Sequence, residues 1–132
     1  MSLAVVDASV LTVFYAADDP RRGAVVARLG VGDTLVAPAH LDAEVVSALR
    51  GLALRHPPLR EIVPAALRHL GSFPIRRLPL APLLERMWEL HDNVTPYDAA
   101  YIAIAERLGA PLITCDGKLG AASPSCRFEL IT

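Results

Sequence analysis

The sequence predicts an α/β fold with a central parallel sheet covered by helices on both faces. Short apolar runs such as Leu3–Val6 and Leu112–Thr114 have the length of buried strands. Segments whose apolar residues recur at helical spacing separate these runs. Strands joined by helices pair in parallel through right-handed crossovers, and the crossing helices then cover the two faces of the sheet.

The first predicted strand leads directly into a short helix. Leu3–Val6 ends at Asp7, and Asp7 and Ser9 provide capping chemistry for a helix over Val10–Ala16. A second helix is predicted to start at Asp19, because aspartate is a good N-cap and the next residue is a proline, which fits the first helical position. This helix should stop at the glycines that follow it.

The middle of the chain predicts a second strand and two more helices. Thr34–Ala37 has strand character and is followed by a proline. A long amphipathic helix is expected over about Ala39–Arg55, and His56–Pro58 should end it. Leu59–Leu70 also has a helical pattern, but Pro64 lies inside it, so we expect a bend or a restart there.

The last part of the chain supplies the remaining elements. We expect a strand at Pro74–Leu78, a helix at Pro82–His91, a helix from Thr95 to Leu108, a strand at Leu112–Thr114 and a final strand at Phe128–Ile131. Thr95 has the position of an N-cap, and Gly109 has that of the glycine that closes a helix. We find no repeat and no linker, so residues 1–132 are expected to form a single domain.

Composition narrows the possible function classes. The chain has 132 residues, of which 53% are hydrophobic, and this is enough apolar material for one core. Its net charge of -1 argues against a stoichiometric nucleic-acid coat protein, whereas an enzyme needs only a local basic patch. No membrane segment is evident, and Cys115 and Cys126 lack the CxxC spacing of a zinc site. We therefore expect a cytoplasmic protein with reduced thiols.

Two acidic residues follow predicted strands. Asp7 comes directly after the first strand, and Asp116 lies two residues beyond Leu112–Thr114. Open parallel sheets bind ligands at the carboxyl ends of their strands, so both side chains are predicted to face one crevice. Each also has an ordinary structural explanation, since Asp7 can cap the next helix and Asp116 can form a turn with Gly117.

Two further acids are candidates on predicted helices. Asp98 stands three residues after Thr95, which is the spacing of a capping box. The helix that follows is so apolar that it should be buried nearly all round. A carboxylate there needs a partner, because an unpaired buried charge is costly. On the long helix, Glu44 and Asp42 flank the apolar stripe about equally, and helical geometry does not choose between them.

Together the acids predict a site for a divalent cation. Crowded carboxylates repel one another and shift their own pKa values, and a hard cation that prefers oxygen ligands relieves this repulsion. Mg²⁺ or Mn²⁺ is favoured over zinc, since no histidine pair has zinc spacing.

The four histidines are predicted to face solvent or to have hydrogen-bond partners; they are His40, His56, His69 and His91. No phosphate-binding glycine motif and no nucleophilic serine elbow is present.

Four segments carry a family resemblance, and they occur in order along nearly the whole chain: Val5–Ser9, Ala43–Val45, Thr95–Glu106 and Leu112–Leu119. Together they resemble the PIN domain, in particular the VapC-type toxins of bacterial toxin–antitoxin pairs. The resemblance implies a three-layer α/β/α domain with Mg²⁺- or Mn²⁺-dependent endoribonuclease activity. It also implies a homodimer, and a small antitoxin whose C-terminal segment enters the active-site groove.

The resemblance further implies which residues act on RNA. The acids of the family correspond by position to Asp7, Glu44, Asp98 and Asp116, as metal ligands and catalytic groups. Ser9 and Thr114 match small hydroxyl positions that orient those acids. The implied reaction is hydrolysis of phosphodiester bonds, with Glu44 as a ligand or as an orienter of the attacking water. Candidate basic patches for RNA are Arg21–Arg22, Arg50, Arg55 and Arg76–Arg77, although each is also explained as a solvated arginine.

Two alternatives keep the fold and change the function. In a Mg²⁺-dependent phosphatase, Asp7 would be the nucleophile, but Ser9 stands where the second aspartate of such sites is expected. In a non-catalytic binding or dimerisation module, the acids would be only helix caps and turns. Metal titration separates the module from the nuclease, because only an acid cluster should be stabilised by the ion.

Overall fold

The computed structural model describes residues 2–121 and 125–132, and its centre is a five-stranded sheet. The strands are β1 (Leu3–Val6), β2 (Thr34–Pro38), β3 (Ile75–Leu78), β4 (Leu112–Thr114) and β5 (Phe128–Leu130). Their order across the sheet is β3-β2-β1-β4-β5, and every neighbouring pair is parallel. The predicted parallel α/β architecture is therefore confirmed, with the first strand in the middle of the sheet.

Helices connect and flank the strands. The α-helices are α1 (Ala8–Tyr15), α2 (Arg22–Leu29), α3 (Leu41–Arg55), α4 (Val63–Gly71), α5 (Leu84–Glu89) and α6 (Pro96–Leu108). Short 3-10 helices cover Pro57–Glu61, Ala81–Leu83 and Leu119–Ala121. No helix in the described part of the chain is long and apolar enough to cross a membrane.

Helix α6 is the most buried helix in the described part of the chain, because alanine, isoleucine and one tyrosine fill its central turns on every side. Its seven consecutive residues Ala99–Ala105 are all buried. The helix contacts β1, β2 and β4 on the sheet and α5 on its other side. Thr95 caps its start by accepting a hydrogen bond from the amide of Asp98, and Gly109 ends it with the left-handed φ of 61° that favours glycine. Both predicted ends are confirmed.

Two predicted helices need correction at their ends, and a third confirms its predicted restart. Helix α2 begins at Arg22 rather than at Asp19, because the Asp19 carboxylate is occupied by the backbone amide and guanidinium of Arg21 instead of capping a helix. The helix predicted near Pro82 opens as a 3-10 turn and ends at Glu89. The helix predicted from Leu59 does restart, with its proline near the beginning of α4.

Arg28 connects three elements by ion pairs near the amino-terminal ends of the strands. Arg28, in the last turn of α2, donates to Glu129 of β5 at 2.6 and 3.2 Å and to Asp33 just before β2 at 2.7 Å. One planar guanidinium thereby connects a helix, an outer strand and the start of an inner strand. Cys115 and Cys126 are free thiols, as predicted.

The burial of α6 predicts a large stability effect at its centre. Replacing the fully buried Ile102 with alanine should lower the free energy of unfolding by about 3 kcal/mol, because a cavity is left between α6 and the sheet. Leu108→Ala, at the partly exposed end of the same helix, should cost less than about 1 kcal/mol. Urea unfolding followed by circular dichroism measures both values, and equal losses would contradict the assigned packing.

Candidate active site

The candidate site lies where the connections of the sheet change direction. From β1 the chain runs to β2 on one side, whereas β4 pairs with β1 on the other side. A crevice forms at the carboxyl ends of strands at such a switch point. Asp7 directly follows β1, Thr114 is the last residue of β4, and Asp116 comes two residues later.

Asp7 is buried at this crevice and its two carboxylate oxygens are both hydrogen-bonded. Oδ1 accepts the Ser9 hydroxyl at 2.5 Å and the Val10 amide at 3.3 Å, so Asp7 also caps α1. Oδ2 accepts the hydroxyl of Thr114 from the neighbouring strand. The structure thus brings the hydroxyls of Ser9 and Thr114, which the family resemblance implied as orienting groups, into contact with Asp7.

The same two hydroxyls bind the backbone beyond β4. Ser9 Oγ accepts the amide of Cys115 at 2.9 Å, and Thr114 Oγ1 accepts the amide of Asp116 at 2.9 Å. Each hydroxyl therefore donates to Asp7 and accepts from the chain that carries Asp116. Because each hydroxyl makes both hydrogen bonds, the segment that carries Asp116 is fixed relative to the end of β1.

Asp116 itself is exposed at the edge of the crevice. Its Oδ1 accepts the amide of Lys118 at 3.0 Å, so it also forms the turn that the sequence allowed as an alternative explanation. The turn occupies one carboxylate oxygen and orients the side chain at the end of β4. The structural and the functional explanations of Asp116 are therefore compatible.

Burial and mutual repulsion shift the pKa values of two of these acids. Burial raises the pKa of Asp7, the hydrogen bonds that it accepts lower it in part, and the charge of Asp98 adds to the rise. Burial also raises the pKa of Asp98, and the charges of Glu44 and Asp116 raise it further. Asp98 interacts electrostatically with all three other predicted acids, so the four carboxylates share one electrostatic environment.

The structure distinguishes Glu44 from Asp42, which the helical pattern left open. Asp42 accepts two hydrogen bonds from the guanidinium of Arg77, both at 3.0 Å. Glu44, by contrast, acts on Asp98 through its charge. Asp42 is therefore part of an ion pair with β3, and Glu44 is the acid of α3 that joins the cluster.

Two neighbours of Glu44 were not predicted from the sequence. The hydroxyl of Tyr101 donates to Glu44 Oε1 at 2.6 Å, and His40 Nε2 lies 3.3 Å from the same oxygen. Burial raises the pKa of Glu44, but the hydrogen bonds from His40 and Tyr101 outweigh burial, so the pKa of Glu44 lies below its ordinary value. His40 was predicted as one of four unremarkable histidines. Its position four residues before Glu44 was the available signal.

The donor set suits a hard cation, although the side chains do not form a closed cage. Carboxylate oxygens are the ligands that Mg²⁺ and Mn²⁺ prefer. The pKa of Asp98 is raised first by burial and then by the charges of Glu44 and Asp116, and a cation would relieve that repulsion. Within residues 2–121 and 125–132, no three His, Cys, Asp or Glu side chains are grouped closely enough to hold a metal ion. Since Mg²⁺ usually keeps several of its waters, this more open arrangement fits a hydrated ion.

A groove of about 1020 Å³ adjoins the site and is lined by Ser9 and by Glu44, which is the one candidate acid in its lining. The rest of the lining is largely apolar and comes mainly from α1, α3 and α4, with Val13, Leu52 and Val63 among its residues. The site therefore adjoins a surface that can hold a chain segment.

The candidate arginines differ in their surroundings. Arg21 lies beside the acid site, since its Nη1 donates to the carbonyl of Cys115 at 3.4 Å while Asp19 holds the rest of its guanidinium. Arg22 donates to the carbonyl of Phe14, and Arg77 is bound to Asp42. The other candidates are exposed; they are Arg50, Arg55 and Arg76.

Comparison with known proteins identifies the family. The PIN domain family matches residues 4–123. The chain belongs to the PIN-domain family. It is 45% identical over 115 residues to Ribonuclease VapC12 of Mycobacterium tuberculosis, which covers 83% of this chain and 85% of that protein. It is 40% identical over 121 residues to Ribonuclease VapC3 of the same species, which covers 92% of this chain and 88% of that protein. Within the PIN-domain family, this protein is thus of the VapC type.

Solved structures support the same fold. The crystal structure of Mycobacterium tuberculosis VapC20, described as a Sarcin-Ricin loop cleaving toxin, superposes on this PIN domain with a TM-score of 0.71 at 22% identity. The match covers 91% of this chain and 95% of that chain. VapBC2 from Rickettsia felis, solved with a DNA fragment from its promoter, gives a TM-score of 0.69 at 12% identity and covers 98% and 99% of the two chains. The predicted three-layer PIN-like fold is confirmed.

The raised pKa of Asp98 predicts a pH-dependent stability effect. Above that pKa the folded protein carries an unfavourable charge, whereas below the ordinary aspartate range Asp98 is protonated in both folded and unfolded chains and costs nothing. In EDTA at neutral pH, Asp98→Asn should therefore raise the melting temperature by about 2–4 °C. This gain should shrink as the pH falls towards the ordinary aspartate range.

Differential scanning fluorimetry across pH checks this expectation. Asp92→Asn is the matched control, because the Asp92 side chain is 89% exposed and should leave the melting temperature unchanged. A lower melting temperature for Asp98→Asn at neutral pH would show that the charge of Asp98 is not under repulsion in the folded protein.

Proposed function

We propose that this VapC-type PIN-domain protein is a Mg²⁺- or Mn²⁺-dependent endoribonuclease and the toxin of a toxin–antitoxin pair. The observation that carries the proposal is the electrostatic interaction of Asp98 with Asp7, Glu44 and Asp116, in which burial and the charges of Glu44 and Asp116 raise the pKa of Asp98. Relatives of 40–45% identity bear the name ribonuclease, which supports RNA as the substrate.

Each acid has a role in this proposal. Asp7, Asp98 and Asp116 would hold the ion, directly or through water, and Glu44 would be a ligand or would orient the attacking water. The bound ion would polarise the scissile phosphate and lower the pKa of a water molecule. Ser9 and Thr114 would keep Asp7 in place by donating to its two oxygens. The products would be the two RNA fragments of phosphodiester hydrolysis.

Arg21 is the proposed contact to an RNA phosphate. Asp19 holds its guanidinium in a bidentate pair at 3.0 and 2.9 Å, and its Nη1 lies at the backbone of Cys115 beside the acids. A fixed, planar guanidinium presents donors in the geometry that a phosphate accepts.

The partners of the protein are part of the proposal. The apolar groove that reaches Ser9 and Glu44 would hold the C-terminal segment of a small antitoxin, which would then cover the acids. We further propose a homodimer that acts in the cytoplasm, without association with a membrane. One structural neighbour belongs to the VapBC family of toxin-antitoxin systems of Mycobacterium tuberculosis, which supports the antitoxin as partner.

Cleavage of structured RNAs tests the proposal. Purified protein should cut RNA in Mg²⁺ or Mn²⁺ but not in EDTA, and Asp98→Asn should reduce the rate by more than about 100-fold, because loss of even an outer partner of a metal site costs 10–100-fold. The variant should remain folded, since asparagine keeps the shape of the side chain. Mn²⁺ should raise the melting temperature of the parent protein and not that of Asp98→Asn.

Asp92→Asn is again the control and should cleave RNA at the parent rate, because the side chain is exposed outside the crevice. Parent-level cleavage by Asp98→Asn would refute the assignment of the site. Failure of Mn²⁺ to stabilise the parent, together with no cleavage, would favour the non-catalytic module.

A further inference from the structure

Tyr101 is a buried tyrosine whose hydroxyl points to the acid cluster. It lies on α6 three residues after Asp98, and only 1% of its surface is exposed. Its hydroxyl donates to Glu44 Oε1 at 2.6 Å, across the gap between α6 and α3. A buried phenol usually requires a hydrogen-bond partner, and here that partner is a carboxylate of the proposed catalytic set.

His40 reaches the same oxygen from the start of α3. Its Nε2 lies 3.3 Å from Glu44 Oε1 and 3.1 Å from the carbonyl of Tyr97. Because both neighbours are acceptors, Nε2 carries the proton; it donates to the carbonyl of Tyr97 and lies at ion-pair distance from Glu44. The imidazole ring also packs edge-on against Tyr101, with ring centroids 5.2 Å apart. Tyr101 and His40 therefore support each other as well as Glu44.

The two donors leave the carboxylate asymmetric. Oε1 of Glu44 accepts the Tyr101 hydroxyl and faces His40 Nε2 at 3.3 Å, while Oε2 accepts no hydrogen bond from the described residues. The side chain of Glu44 is 31% exposed, so it is not enclosed by protein. One oxygen is thus anchored, and the other remains available to an ion or to its water.

The same two residues fix the orientation of Glu44. Tyr101 reaches its carboxylate from α6, and His40 lies four residues before it at the start of α3, so the side chain is held from two different elements. An ionised carboxylate in a fixed rotamer is what a divalent cation requires of a ligand.

We propose that Tyr101, assisted by His40, is a positioning residue that anchors Oε1 of Glu44 and presents Oε2 to the divalent cation. This inference rests on the proposed function, because it assumes that Glu44 takes part in binding the ion. Tyr101 is too deeply buried to contact RNA, so it acts through Glu44 alone. It should therefore affect ion binding and turnover, and not the affinity for RNA.

The test is the affinity of the RNA-free protein for Mn²⁺, measured by isothermal titration calorimetry. Tyr101→Phe should weaken Mn²⁺ binding by about 10-fold, because partners that orient a ligand typically contribute 10–100-fold. In RNA cleavage the same variant should lose about as much in kcat with an unchanged KM. Tyr15→Phe is the matched control, since the Tyr15 hydroxyl is also hydrogen-bonded, to His69 Nδ1 at 2.7 Å, and should leave the Mn²⁺ affinity unchanged.

A double-mutant cycle shows whether Tyr101 acts through Glu44. Glu44→Gln should weaken Mn²⁺ binding, and adding Tyr101→Phe to it should weaken binding no further, because the carboxylate that Tyr101 positions is already gone. Additive losses would overturn the inference, as would a Tyr101→Phe protein that binds Mn²⁺ like the parent. If the parent protein itself bound no Mn²⁺, the proposed function would fail and the inference with it. This result differs from one in which the parent binds Mn²⁺ and Tyr101→Phe binds it equally well, because that second result overturns the inference alone.

Discussion

The parallel pairing of β1 with β4 is the contact on which the acid site depends. It places the end of β1, where Asp7 stands, against the end of β4, where Thr114 stands. Hydroxyl groups then connect the buried carboxylate to the backbone beyond β4, so a costly buried charge is satisfied by groups that the sheet itself brings together. Any shift of this register would separate Asp7 from Thr114 and leave the carboxylate without one of its donors.

Much of this arrangement could be predicted from the sequence because it follows from strand ends and helix caps. Asp7 and Asp116 were assigned to one crevice since parallel strands end at the same edge, and Thr95 and Gly109 bounded α6 as expected. The failed helix start at Asp19 has a different origin. The competing partner of Asp19 is Arg21, and a local pattern of good capping residues does not show that an arginine side chain will take the carboxylate.

The choice between Glu44 and Asp42 could not be made locally either. Both residues flank the apolar stripe of α3, and what separates them is the location of Arg77 on β3 and of Tyr101 on α6. These residues are distant in the chain, so only the assembled sheet and helices bring them to α3. Local periodicity predicts which residues face the core, whereas the partner of a boundary side chain is a property of the tertiary structure.

The guanidinium of Arg28 fastens the molecule at the edge of the sheet opposite the acids. The two ends of the sheet are therefore held by different chemistry. Charged groups of Arg28, Asp33 and Glu129 join α2, β2 and β5 at one end, whereas the hydroxyls of Ser9 and Thr114 join β1 to the chain beyond β4 at the other. Because dissolved salt screens charges but not hydroxyl groups, a rise in ionic strength would weaken the Arg28 end more than the Asp7 end.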